Sequence, residues 1–162
     1  MPRTWAELGV LAAASVLAIG LLGGFRSGKR PPALSPARAS WILTPGVANP
    51  DVTQENLAET ICKHGWTSTV RPPTDYTNAL KAEQMEAYHR AGTLSDYQED
   101  HLISLELGGD PTDARNLWPE PIERAVEVDD SVEDALNEKV CSGEITLREA
   151  QRREVEIKHT AG

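Results

Sequence analysis

The sequence predicts an α+β fold: a mainly helical domain built around one short hairpin-helix core, with an N-terminal transmembrane helix ahead of it. Three observations carry that prediction. Residues 8–25 form a charge-free apolar run. Residues 97–121 hold an alternating apolar segment, a Gly-Gly pair and a returning Arg-Asn-Leu-Trp segment. After Pro121, apolar residues recur at spacings of three and four, the helical period. A chain of 162 residues has room for one modest domain and an appendage. The predicted division is an anchor or signal over 1–25, a proline-rich linker over 26–50, and a domain over 51–162.

The N-terminal run is 18 residues long. Its helical length of about 27 Å approaches the bilayer core of about 30 Å. Arg3 flanks one side, and Arg26, Lys29 and Arg30 the other. Ala37-Arg38-Ala39 is a small-x-small site of the kind that ends a signal peptide, yet it lies more than ten residues past the run. An uncleaved single-pass anchor is therefore expected, with secretion as the alternative if the segment is cleaved. Lys and Arg counts place the domain in the cytoplasm, while the cysteines favour the outside.

Residues 26–50 read as an extended, poorly packed linker, because Pro31, Pro32, Pro36, Pro45 and Pro50 interrupt it. Within it, Trp41-Ile42-Leu43 can dock on the domain. Thr53 is expected to cap a short helix to Cys62, with Asn56 in place of the usual Glu. Residues 66–70 favour extended backbone, and the prolines after Arg71 keep it non-helical. Thr77 then caps a helix to Arg90, with Leu80, Gln84, Ala87 and Tyr88 inward, Lys81, Glu83 and Glu86 outward, and Gly92 as its stop.

In the hairpin, His101, Ile103, Leu105 and Leu107 share one face of a strand at period two, and Asp100, Leu102, Ser104 and Glu106 share the other. Gly108-Gly109 supplies the turn. Asn116-Leu117-Trp118 returns, ended by Pro119 and Pro121. An acidic helix follows over 122–140, with Ile122, Ala125, Val128, Val132, Leu136 and Val140 on its inner face. Thr146 and Glu149 form a capping box for a last helix to Lys158.

The formal charge of −9 is unevenly placed. Residues 1–39 carry five basic and one acidic side chain, and the remainder 11 basic and 24 acidic. A soluble part at −13 disfavours non-specific nucleic-acid binding, whose affinity comes chiefly from neutralised phosphates. Bound metal would offset part of that charge locally. Cys62 and Cys141 read as one disulfide if the domain is exported, or as two buried thiols in a reducing compartment.

A histidine, a carboxylate and an asparagine on one hairpin suit metal-assisted hydrolysis, which needs a base for water and a cation for the leaving oxygen. Arg71 and Arg115 are candidate phosphate contacts, or partners of the abundant acids. Trp66 and Trp118 stack on bases or pack the core.

Several segments strengthen that reading in combination: Thr44-Pro45-Gly46, residues 62–66, Arg71-Pro72-Pro73, residues 76–81, Asp100-His101-Leu102-Ile103, Leu107-Gly108-Gly109, Arg115-Asn116-Leu117-Trp118-Pro119 and Val140-Cys141-Ser142-Gly143. Together they resemble a small, often exported bacterial family of HNH-like proteins, within the HNH-type, His-Me finger nucleases. The resemblance covers roughly residues 42–155. It implies a ββα unit around one divalent metal ion, Mg²⁺ or Mn²⁺ with Zn²⁺ as an alternative. It makes His101 the general base, with Asn116 holding the His101 loop by side-chain-to-backbone bonds. Asp100 is the metal ligand beside it. The helix positions that complete the site are Asp130 and Glu133, which share a helix face; the alternative is a solvated acidic face. Asp129 departs from the pattern, with acid where the family has base. The expected function is a metal-dependent endonuclease cutting DNA or RNA, with the membrane as second partner through the N-terminal helix. The rival is an inactive, acidic binding module on the same scaffold.

Overall fold

The computed structural model describes residues 37–125 and 130–161, all within the unit Pro32–Gly162. The expected transmembrane run lies outside the described residues, as do most of residues 26–38, Val128 and Asp129. Among the described residues, no helix is long and apolar enough to cross a membrane.

Among the described residues the fold is mixed α and β, about half helical with one two-stranded sheet. The elements are α1 (Trp66–Val70), α2 (Thr74–Ala87), β1 (Tyr97–His101), β2 (Leu117–Pro121), α3 (Ile122–Arg124), α4 (Asp130–Cys141) and α5 (Leu147–Thr160). The strands are antiparallel, pairing Asp100 with Trp118 and His101 with Leu117.

Residues 39–50 are part of the domain, not a linker. Asn49 donates to the Gly108 carbonyl at 2.8 Å, and Asp110 to that of Val47 at 2.8 Å. Thr44 is buried, its hydroxyl 2.7 Å from that of Tyr88. Prolines stop this segment from being helical, yet an extended backbone can still bond a neighbouring loop. Trp41 stacks on His159 with ring centroids 3.7 Å apart, and Leu43 packs on the core, while Ile42 stays exposed.

Other boundaries move too. Only a 3₁₀ turn, Leu57–Glu59, forms where a helix to Cys62 is expected. Residues 66–70 are helical rather than extended. α2 begins at Thr74, because Pro73 pre-sets the extended residue before a helix; Ala87 is exposed, and Lys81 turns in to donate to the Tyr97 carbonyl at 2.8 Å. In α5 the Thr146 hydroxyl accepts from the Glu149 amide, so one half of the expected capping box forms, while the Glu149 carboxylate turns to Arg152 and Arg153.

The strand expected over 100–107 stops at His101, and the return strand begins at Leu117. A long loop joins them, with a 3₁₀ turn at Leu105–Leu107. Gly109 is forced by close packing: a Cβ there would lie 1.7 Å from the Ile103 carbonyl oxygen.

Two apolar clusters flank this loop. One joins Val52, Ile61, Ile103, Leu107, Leu136, Val140, Leu147 and Ala150. The other joins Ala39, Tyr88, Leu102 and Trp118. Cys62 and Cys141 form a disulfide 79 residues apart in sequence, tying the segment before α1 to the end of α4. In the chain-entropy picture a loop of that length is worth about 4.5 kcal/mol.

Candidate functional site

Asn116 organises the loop after His101. Its side-chain oxygen accepts from the amides of Ile103 at 3.0 Å and Val47 at 3.1 Å. Its side-chain nitrogen donates to the carbonyls of Ile103 at 3.0 Å and Asp110 at 2.9 Å. The Leu102 amide completes the clamp on the Asn116 carbonyl at 2.7 Å. Capture of Ile103 on both its amide and its carbonyl draws the backbone out of the ladder, so the strand ends at His101.

His101 is buried at the tip of β1. Its Nε2 lies 3.1 Å from the Pro111 carbonyl oxygen. A carbonyl only accepts, so Nε2 carries the proton and Nδ1 the lone pair. Burial pulls the imidazole pKa down, opposed by Asp100 and the Pro111 carbonyl and assisted by the charges of Arg71 and Lys158. The ring is thus neutral at neutral pH.

The carboxylates converge on a lysine. Lys158 is 1% exposed. Its Nζ donates to Asp100 Oδ2 at 2.8 Å, Glu133 Oε1 at 2.7 Å and the His101 carbonyl at 2.7 Å. Glu154 Oε1 is 3.6 Å away, and the Glu154 carboxylate accepts from the Ser104 amide at 3.0 and 3.1 Å. Burial would raise Asp100, but the charge and hydrogen bond of Lys158, with His101 beside it, hold it below its usual value. Burial pushes Glu133 up to about 8 and Glu154 up to about 7; Lys158 opposes both rises, and Asp100 adds to them.

Asp100 and Glu133 therefore come together as the sequence pairs them, around an ammonium. Oxygens at 2.7–2.8 Å suit a charged N–H donor, whereas Mg²⁺ requires about 2.0–2.1 Å. As placed, these residues do not fit a divalent ion. Among the described residues no group of three or more His, Cys, Asp or Glu is arranged to hold one. Asp130 opens α4, and its side chain lies outside the described part.

The two arginines part company. Arg71 is exposed and near enough to His101 for its charge to act on the ring. Arg115 closes a fork on its neighbour Asp113, at 3.0 Å from Nε and 2.6 Å from Nη2, at the exposed surface. Trp118 is fully buried and cannot stack on a base; Trp66 packs partly buried against the core.

Lys158, Glu154 and Glu99 escaped sequence reasoning. Lys158 read as the end of a helix. Its signal was the row Leu147, Ala150, Glu154, Lys158, which extends an apolar helix face with two charges. Glu99 lies two residues before His101 on the same face of β1. Both its carboxylate oxygens are enclosed without a hydrogen-bond partner. Burial pushes it up to about 8, against the pull of Lys81 and with a further push from Asp100.

No protein-family model, no curated protein and no solved structure matches the chain.

Proposed function

We propose that this chain is an HNH-like phosphodiester hydrolase acting on nucleic acid, with His101 as general base. The observation that supports it most is the Asn116 clamp, which fixes the loop after His101 through four side-chain hydrogen bonds. With Nε2 held on the Pro111 carbonyl, Nδ1 is the atom that takes a proton from the attacking water. Arg71, near enough for its charge to act on the His101 ring, is the residue we assign to a substrate phosphate. No step is routed through a divalent ion, since the carboxylates that would hold it are engaged by Lys158. Arg115 has a weaker claim, because it must leave Asp113 to meet a phosphate.

The disulfide supports a domain outside the cytoplasm, where such bridges persist. We place it there on a membrane anchor formed by residues 8–25.

A second reading has its own support. The burial of His101 and the Lys158 ammonium among the acids favour an inactive, acidic binding module on the same scaffold.

Cleavage of plasmid DNA and of a labelled RNA by the purified full chain separates the two. We expect nicking that falls by roughly 10²- to 10⁴-fold in His101→Ala. Equal cleavage by the variant would remove His101 as the base. Absence of cleavage by the folded wild type on both substrates would leave the binding module.

A further inference from the structure

We propose that Lys158 is the resident cation of this site: its ammonium sits between Asp100, Glu133 and Glu154 where a divalent ion would otherwise bind, and it keeps such an ion out. The inference uses the HNH-like reading only to say which residues a metal would require. It holds whether or not the chain cleaves anything.

The geometry is that of a built ammonium site. Three carboxylates from three elements, β1, α4 and α5, meet at one Nζ, and the His101 carbonyl is a fourth oxygen. The ammonium arrives on α5 and is held there from behind. The Ala39 amide donates to the Lys158 carbonyl at 3.1 Å. The next residue, His159, is pinned by the Thr44 carbonyl at 3.0 Å and by the stacked Trp41 ring. Swinging the Lys158 side chain out to admit an ion would break its bonds to Asp100, Glu133 and the His101 carbonyl and leave the acids without a cation. The ammonium also links the cluster to the His101 backbone, a positioning role that a bound ion would otherwise have.

Mn²⁺ is the probe, read by electron paramagnetic resonance and by thermal melting of the full chain in detergent, with and without chelator. Wild-type protein is expected to leave millimolar Mn²⁺ free and to melt at the same temperature in both conditions. Lys158→Ala opens the cluster. It is expected to bind one Mn²⁺ and to melt higher with it, and adding Glu133→Gln should weaken that binding by at least the roughly 10- to 100-fold that loss of an outer-shell partner costs. If Lys158→Ala folds only when Mn²⁺ is present, the ion has replaced the ammonium and the inference holds. The inference falls if the wild type binds Mn²⁺ and Glu133→Gln removes it. It falls equally if Lys158→Ala is folded yet binds none, or stays unfolded with Mn²⁺ added. These readings need no turnover. Cleavage that depends on His101 and is abolished by chelator would overturn the resident lysine and leave the hydrolase reading intact. A wild type that cleaves nothing would do the reverse.

Discussion

Two regions meet at His101 and hold it by opposite means. On the loop side, the neutral Asn116 amide satisfies four backbone groups and is itself fully satisfied. On the helix side, a buried lysine faces three carboxylates, two of which burial pushes toward their neutral forms. An amide clamp is insensitive to pH and salt, because none of its atoms titrates. A buried charge cluster is conditional: its worth depends on which carboxylates are ionised. The clamp is suited to fixing a conformation, and the hub to setting a charge.

The largest effect should come from the clamp. Asn116→Leu keeps side-chain bulk but strips partners from Ile103, Val47 and Asp110 in a buried loop. With four groups stranded at about 1–3 kcal/mol each, the loss is roughly 4–12 kcal/mol. Urea unfolding should show that loss unchanged from pH 5 to pH 8, with both limits set about either side of neutral. A loss that varied steeply with pH would mean the clamp is coupled to the hub.

Lys158→Met comes next, at roughly 3–5 kcal/mol near neutral pH, because it leaves the acids without a cation. Here the loss should shrink as pH falls and Glu133 and Glu154 take up protons. A pH-independent loss would show that Lys158 contributes by packing alone.

How far each region was legible follows from the same contrast. The clamp could be read in part: the resemblance gives Asn116 its role, and the Asp100-His101 pair, the Gly-Gly and Asn116 lie within one short stretch, while Val47 lies 69 residues away. Even there, the strand was read six residues too long, since period-two apolar residues continue through Leu107 and the side-chain capture of Ile103 leaves no local sign. The hub could be read only in part. Asp100 and Glu133 were paired through the spacing of a resemblance, but their actual partner lies 58 and 25 residues away. A lysine near the end of a charged helix carries no mark of burial until α5 is docked. Residues 39–50 were misread for a related reason: composition reports stiffness, and the hydrogen bonds that dock the segment are tertiary.

A subtler test of the hub is the pH profile of the wild type. Glu133 ionises at about 8 in the fold, against 4.5 when free. The folded state therefore holds the extra proton across that window, and stability must fall as pH rises through it. Glu99, also raised to about 8, adds in the same direction. Asp100 acts oppositely, losing its contribution only as pH drops below the usual aspartate range. Glu154 follows Glu133, and neutral His101 opposes acid conditions. Thermal melting from pH 5 to pH 8, limits again about those values, should show declining stability, with a shallower slope in Glu133→Gln and in Glu99→Gln. An unchanged slope in both variants would place the pH response elsewhere.

The smallest effects separate the two arginines. Arg115→Ala removes an exposed pair with Asp113, so stability should change by less than about 1 kcal/mol. Arg71→Ala should be equally mild for stability, yet it withdraws a positive charge that presses down on the His101 pKa. The imidazole should titrate at higher pH in that variant, visible in the His101 ring proton shifts by NMR, and stay put in Arg115→Ala. Any cleavage should follow the same order, weakened more by loss of Arg71 than of Arg115. If the two variants shift His101 equally, Arg71 holds no special place beside the ring. The positive charge for a phosphate would then have to come from the hub, which Lys158 already commits to the carboxylates.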